Sequence, residues 1–512
     1  MASQTTFRAA LLLTAFPLAS VLGAQQAPRV TKDAPAAQPP TTRPPTTQPA
    51  RTSSRIDRSK PPALPPTPPL RVPAIESRTL SNGITVAVLE NHEIPIVRVS
   101  ALIETPGVLD PQGKEGVAAL TFAMLGEGTR TRTAEQLADA NAELGTSVSP
   151  TGFLTITRNV DPALALMRDQ LYEPSFPQAA LDRLRANQIA ALRRAKDQPT
   201  YLAGRVLANA LYGAGHPYER TTTEESLAAI TRDDLVAFHS TYVRPQNVKF
   251  VVAGDITPAQ AVEKLERVFG SWPAGGQKAR YEVPAPAPIA QTTIYLHDRP
   301  NSAQTVIYAA SVGPRRDVPE YYALDLANTV LGGSFLSRLN TNLRETHGYA
   351  YGAGSGFSFR KRPEVGQFTA SAQVQTDKTD SSVIEIVREL KDIAGARPIT
   401  QAEFDLAMSN AVKGLPLAFE TVSQIAGAAT TVLQDSLPLD YYATLSSKYE
   451  AATVASVNAA AKQYIDPSKL AIVVVGDRKQ IEDKLRAANV APVVVVDERA
   501  KPIAAGAGAS DK

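Results

Sequence analysis

Residues 113–129 read GKEGVAALTFAMLGEGT, a short apolar run framed by Gly113 and Gly116 on one side and Gly126 and Gly128 on the other. Val117, Leu120, Thr121, Met124 and Leu125 recur at helical spacing, which predicts a buried helix of about three turns. Ala119, Phe122 and Ala123 stand at i, i+3 and i+4 and therefore share a face. None of the three carries an atom able to ligate a metal or move a proton. On its residues alone, the stretch is a core helix with no chemistry of its own.

Strand-like text precedes it. Asn82-Gly83 is a tight-turn pair leading into Ile84, Val86 and Val88, and apolar residues alternate through 96–103. Strand, strand and buried helix in that order predict an α+β domain. Downstream, 133–144 reads as a helix capped by Thr133 and 146–156 as strand-rich. A helix pair follows over 162–171, with Asp161 as its cap, and 177–196. The first half closes with a helix at 233–238, a strand at 248–253 and an amphipathic helix at 258–269. Residues 273–291, rich in Pro, Ala and Gly, read as a connector.

Tyr242, Pro245 and Gly254-Asp255 return as Tyr464, Pro467 and Gly476-Asp477, each displaced by 222 positions. VKFVVAGD and LAIVVVGD match between them, so the chain reads as a duplicated α+β unit, with halves at 76–272 and 292–498. In the second half, strands are expected at 305–310, 366–374 and 493–496, and helices at 321–331, 379–393 and 400–415, with a mostly helical stretch up to Tyr464. Residues 499–512 are expected to form a disordered tail.

The glycine frame, together with LGGSFLSRLNTNLRETHGYAYG at 331–352, resembles the M16 family of zinc metallopeptidases, the pitrilysin, insulinase and mitochondrial-processing-peptidase group. In active members an inverted His-x-x-Glu-His motif occupies the framed helix. That resemblance places Ala119 at the first His, Phe122 at the catalytic Glu and Ala123 at the second His, while Gly116, Ala118, Met124, Leu125, Gly128 and Thr129 keep the pattern. The third ligand of the family is a Glu on the second helix of the pair, yet FPQAALDRLRANQIAALRRAK contains no Glu. The resemblance further implies that Arg344 and Tyr351 are the pair that reaches the scissile carbonyl, with Arg338 and Tyr349 as lesser candidates. Two α+β sandwich domains of this type would form one half of a clam-like chamber.

No cysteine is present, which excludes thiolate metal sites and disulfides, and the five histidines have no second His within four positions. His216, in YGAGHPY, falls in a loop that is structural in the resembling family. Arg8 followed by the apolar 9–23 reads as a secretory leader ending near Ala24, too short and too interrupted by Pro17 for a permanent span. Fourteen of the 40 prolines lie in 25–75, an extended tether with eight Lys or Arg against Asp33 and Asp57. The net charge of +3 therefore belongs to the leader and tether, and the rest of the chain is acidic. Nothing in it supports nucleic-acid binding.

Gly352, Gly354 and Gly356 are further candidate substrate contacts, read first as a turn between strands. They lack the Lys-Ser/Thr ending and the spacing of a phosphate loop, and Ser355 between two of them is not a nucleophile elbow. The expectation is a periplasmic chain that holds no metal and does not cut peptides alone. Its implied partner is a homologous zinc-bearing subunit, and its implied ligand is peptide or unfolded polypeptide. The other reading left open is a peptide-binding, chaperone or assembly protein built on an inactive peptidase scaffold.

Overall fold

The computed structural model describes residues 72–275, 278–361 and 363–503. The expected leader, nearly all of the tether and residues 504–512 lie outside the described residues.

The first half contains strands β1 (Glu76–Thr79), β2 (Thr85–Glu90), β3 (Ile96–Ile103), β4 (Gly152–Ile156) and β5 (Val248–Gly254). Its helices are α1 (Val117–Met124), α2 (Ala134–Leu144), α3 (Val160–Tyr172), α4 (Gln178–Lys196), α5 (Pro199–Tyr212), α6 (Glu224–Ala229), α7 (Arg232–Tyr242) and α8 (Pro258–Phe269). The second half has strands β6 (Thr293–Asp298), β7 (Gln304–Gly313), β8 (Ala350–Ser358), β9 (Gly366–Gln375), β10 (Ala471–Gly476) and β11 (Val493–Val496). Helices α9 (Tyr321–Asn328), α10 (Arg338–Asn340), α11 (Thr379–Lys391), α12 (Gln401–Gly414), α13 (Val422–Gln434), α14 (Tyr441–Glu450), α15 (Val454–Tyr464) and α16 (Arg478–Ala487) complete it.

One sheet has the order β1-β2-β5-β3-β4 and the other β11-β6-β10-β7-β9-β8. In both, a parallel pair (β2 with β5, β6 with β10) is followed by two antiparallel neighbours (β3 and β4, β7 and β9). The strand-turn text repeated at 222 positions thus sits at the same place in each sheet, as β5 and β10.

Several expectations need correction. Helix α1 is shorter than three turns: it ends at Met124, and by Gly128 the backbone has turned to a φ of +137°. Asp161 lies inside α3 rather than capping it, and its carboxylate receives Lys264 Nζ at 2.7 Å. In 146–156 only β4 is strand, and the helix expected over 321–331 passes into a π-helical turn at Thr329–Gly333. Gly352, Gly354 and Gly356 are inside β8, not in a turn. The expected tail from 499 starts as ordered chain: Ile503 N–H donates to Val495 O at 2.9 Å and Val496 bridges Pro502.

Helix α5, absent from the elements that periodicity predicts, decides how the halves relate. Its Leu202, Val206, Leu207 and Leu211 pack not on their own sheet but on Val306, Ala310, Val473 and Val475 of the second. Helix α13 does the converse, covering Ala87, Leu89, Val251 and Ala253 of the first sheet with Val422, Ile425, Ala426 and Ala429. Each half therefore closes the outer face of the other's sheet.

A polar junction reinforces the exchange. The Glu364 carboxylate accepts from Tyr218 Oη at 3.1 Å, Tyr281 Oη at 3.0 Å and Arg360 at 2.6 Å, joining the first half, the connector and the second half. Burial, and then the Glu364 charge, push both phenols upward, so they remain donors. Glu364→Ala leaves two half-buried hydroxyls without their acceptor and is expected to cost about 1–3 kcal/mol, read as a lowered denaturation midpoint. Tyr218→Phe alone should cost less, about 1 kcal/mol.

Candidate functional site

Helix α1 is preceded by Gly116, whose φ of +114° L side chains rarely adopt and where a Cβ would sit tightly, 3.1 Å from Leu227 Cδ2 and 3.2 Å from Thr222 Cγ2. The Asp110 carboxylate then takes the first free donors, Gly116 N–H at 2.7 Å and Ala118 N–H at 2.8 Å. Val117, Leu120, Thr121 and Met124 point into the core. Ala119 and Ala123 are exposed, and Phe122 is half-buried. The face that would carry metal ligands is thus turned outward, as a metal site requires, but presents two methyls and a phenyl ring. Zinc needs nitrogen, oxygen or sulfur donors at about 2.0–2.3 Å, and these side chains do not fit it. Among the described residues, no group of three His, Cys, Asp or Glu side chains could hold an ion.

The histidines are occupied elsewhere. His92 Nδ1 lies 2.8 Å from Asp255, His239 Nε2 donates to Leu171 O at 2.8 Å, and His297 Nδ1 donates to Val496 O at 3.1 Å. His216 is buried, stacks on Tyr212 and donates through Nε2 to Pro284 O at 2.9 Å. His347 stacks on Tyr349 with ring centres 4.9 Å apart.

Arg344 and Tyr351 are brought together. Arg344 lies on a second π-helical turn, Thr341–Thr346, and Tyr351 near the start of β8. The guanidinium carbon is 4.9 Å from the Tyr351 ring centre and 4.8 Å from that of Phe335, so the cation is flanked by two aromatic rings. Glu345 holds its Nε at 3.1 Å. Tyr351 is 71% exposed and Phe335 63%. Neither ring is there to fill a core.

Phe335 was not singled out by sequence, nor was Asn340, which fixes the loop that carries it. Asn340 Nδ2 donates to Phe335 O at 2.7 Å, and its Oδ1 accepts from Ala353 N–H of β8 at 3.2 Å. The loop also runs tightly across β8: a Cβ on Gly332 would come 2.2 Å from Ser355 N. On β8 it is Gly354 that serves close backbone approach, a Cβ there lying 2.9 Å from Gly332 O. The available sequence signal was an aromatic residue placed between Gly-Gly and Ser-Arg-Leu without a helical or strand period to absorb it.

Arg338, the other basic candidate, is structural. It donates Nε and Nη2 to Glu403 at 2.7 and 2.8 Å and reaches Arg397 O and Pro398 O. Burial alone would raise the Glu403 carboxyl, but the bonds from Arg338 and Thr400 outweigh it and hold it at about 2 instead of 4.5. Because the folded value is the lower one, this pair's stabilisation is complete above the unfolded glutamate value and is lost as pH falls toward 2. Denaturant midpoints are expected to drop between pH 5 and pH about 2 in the natural chain, and to drop less in Glu403→Gln.

Residues 229–411, from α6 to α12, match the sequence profile "Peptidase M16 inactive domain". A crystal structure of a peptidase M16 inactive domain from Pseudomonas fluorescens superposes with a TM-score of 0.70 at 26% identity, covering 79% of this chain and 98% of that one. The chain has the M16-family peptidase fold. Within that fold, the curated "Non-peptidase homolog YmxG" of Helicobacter pylori is 26% identical over 410 residues, 76% of this chain and 91% of that protein. The periplasmic protease PqqL of Escherichia coli shares the fold at a TM-score of 0.65 and 15% identity, and 86% of this chain covers 52% of PqqL. The matched part of this chain thus spans about half of that larger protease. Among the described residues, no helix is long and apolar enough to cross a membrane.

Proposed function

We propose that this chain is the zinc-less subunit of a divided M16-type endopeptidase of the periplasm, and that it supplies substrate-binding surface and the Arg344–Tyr351 pair to a site whose zinc belongs to a homologous partner. One contrast carries the reading. The metal face of α1 has lost every donor atom, while Arg344 remains displayed between two exposed aromatic rings. A lone ancestral scaffold would have no reason to keep that display.

The residues suit the task. A peptide carbonyl gains negative charge when attacked, and a guanidinium and a phenol both donate hydrogen bonds to it without needing a metal of their own. Zinc in the partner would polarise that carbonyl and lower the pKa of the attacking water. Edge strand β4, with Leu154 and Ile156 exposed, suits pairing with an extended peptide. The length of PqqL, about twice the span matched here, is consistent with a chamber completed by a second chain.

Purification from the native source followed by a mixing assay tests this. A zinc-bearing relative should co-purify, and the mixture should cleave unfolded peptide where neither chain alone does. Isolation of this chain only as a homo-oligomer, with no stimulation of any such relative, overturns the reading. The second reading, a peptide-binding or assembly protein, draws on the outward apolar face at Ala119, Phe122 and Ala123 and on the description of the Helicobacter pylori relative as a non-peptidase. It predicts peptide binding without cleavage even in the mixture.

A further inference from the structure

Strand β8 is irregular at the residue that the proposed chemistry needs. Ala350 pairs with Val374 and Ala353 with Ala372, so three steps along β8 are matched by two along β9. That is a β-bulge of one extra residue. Side chains alternate along a regular strand, so two residues three apart should lie on opposite faces. Here Ala350 and Ala353 both pack on the core of the second half, as do their partners Val374 and Ala372. Counted back from Ala353 without the bulge, Tyr351 would point into that core. With it, Tyr351 and Gly352 are both exposed, and the Tyr351 ring centre lies 4.9 Å from the Arg344 guanidinium carbon.

One side chain holds the bulge. Asn340, 4% exposed, accepts through Oδ1 from the N–H of Ala353, the first paired residue after the bulge, at 3.2 Å. Its Nδ2 donates to Phe335 O at 2.7 Å. A backbone N–H only donates and a backbone carbonyl only accepts, so the amide has one usable orientation. Asn340 also ends α10, and the π-helical turn Thr341–Thr346 that follows it directly carries Arg344. Single π-turns and bulges both concentrate at functional sites. One buried amide thus ties together the loop bearing Phe335, the strand bearing Tyr351 and the turn bearing Arg344.

We infer that Asn340 is the positioning residue of the Arg344 donor. It holds the bulge that turns Tyr351 out of the core and the loop that presents Phe335, so the guanidinium plane is fixed between two rings before substrate arrives. Glu345 takes Nε, which leaves the terminal N–H groups for a carbonyl oxygen. Without Asn340, the N–H of Ala353 and the carbonyl of Phe335 lose their common partner, the loop parts from the strand, and Arg344 turns freely. The catalytic consequence rests on the role proposed above for Arg344 and Tyr351. The positioning does not, and it can be read on the chain alone.

Nuclear magnetic resonance of the chain alone, with nitrogen-labelled arginine, tests it. The Arg344 Nε–H signal, identified by its absence in Arg344→Lys, should be displaced upfield by the ring currents of Phe335 and Tyr351. Tyr351→Leu and Phe335→Leu should each remove part of that displacement, and Asn340→Ala most of it. Asn340→Asp, as a carboxylate, still accepts from Ala353 N–H but cannot donate to Phe335 O, so it should match Phe335→Leu. It also carries the test if Asn340→Ala does not fold. In the mixed subunits, Asn340→Ala should lower kcat about tenfold or more and leave KM near the natural value. An asparagine that only stabilises the fold would lower the denaturation midpoint and leave the Arg344 signal in place, and that result in both Asn340 variants overturns the inference. A lost displacement with turnover unchanged upholds the positioning and overturns instead the catalytic role proposed for the pair.

Discussion

Arg344→Ala is expected to lower peptide turnover by the mixed subunits about 10²- to 10³-fold, the usual cost of removing one donor from a developing oxyanion. Assembly should be unaffected, because the guanidinium interacts with Phe335, Glu345 and Tyr351 of this same chain. The loss should fall on kcat more than on KM, since the carbonyl oxygen carries its full charge only in the transition state. Arg344→Lys keeps the charge but not the planar group that lies between the two rings, and should recover little. Phe335→Leu removes one of those rings and should give an intermediate loss. If Arg344→Ala turned over peptide like the natural chain while still assembling, the Arg344–Tyr351 pair would have no part in the chemistry, and only the role of a binding wall would remain.

The second large effect concerns the fold. Residues 72–275 produced without the rest are expected to aggregate or to lack fixed tertiary packing. Two apolar surfaces would be uncovered at once. One is the outer sheet face of Ala87, Leu89, Val251 and Ala253, and the other is the α5 stripe of Leu202, Val206, Leu207 and Leu211. Each large side chain returned to water forfeits about 1.5–3 kcal/mol, so the total is on the order of 10 kcal/mol. That equals the whole stability of an ordinary domain, about 5–15 kcal/mol. Co-production of residues 278–503 as a separate chain should restore a soluble complex, seen by size-exclusion chromatography and near-ultraviolet dichroism. A monomeric, cooperatively unfolding 72–275 fragment would show that the helix exchange is dispensable.

Local periodicity carried much of the architecture. The alternation over 96–103 matches β3, and 258–269 coincides with α8, because each segment's burial is set by neighbours on a single face. Thr133 caps α2 as its hydroxyl dictates, accepting from Gln136 N–H. Failures fall where a segment is buried from more than one side or in an unusual direction. Helix α5 is not legible locally because its apolar stripe answers to the sheet of the other half, distant in sequence. The glycines of β8 looked like a turn because no local rule reveals that a π-helical loop lies across that strand.

The chemistry divides along the same line. That Ala119, Phe122 and Ala123 cannot ligate zinc follows from composition alone, since no fold can add a donor atom to a methyl group. That Ala119 and Ala123 are exposed while Phe122 is half-buried, that Arg344 stands between Phe335 and Tyr351, and that Arg338 is consumed by Glu403 are decisions of the tertiary structure. An arginine's role depends on which carboxylates and rings the fold carries within about 5 Å of it, and that distance is not written along the chain.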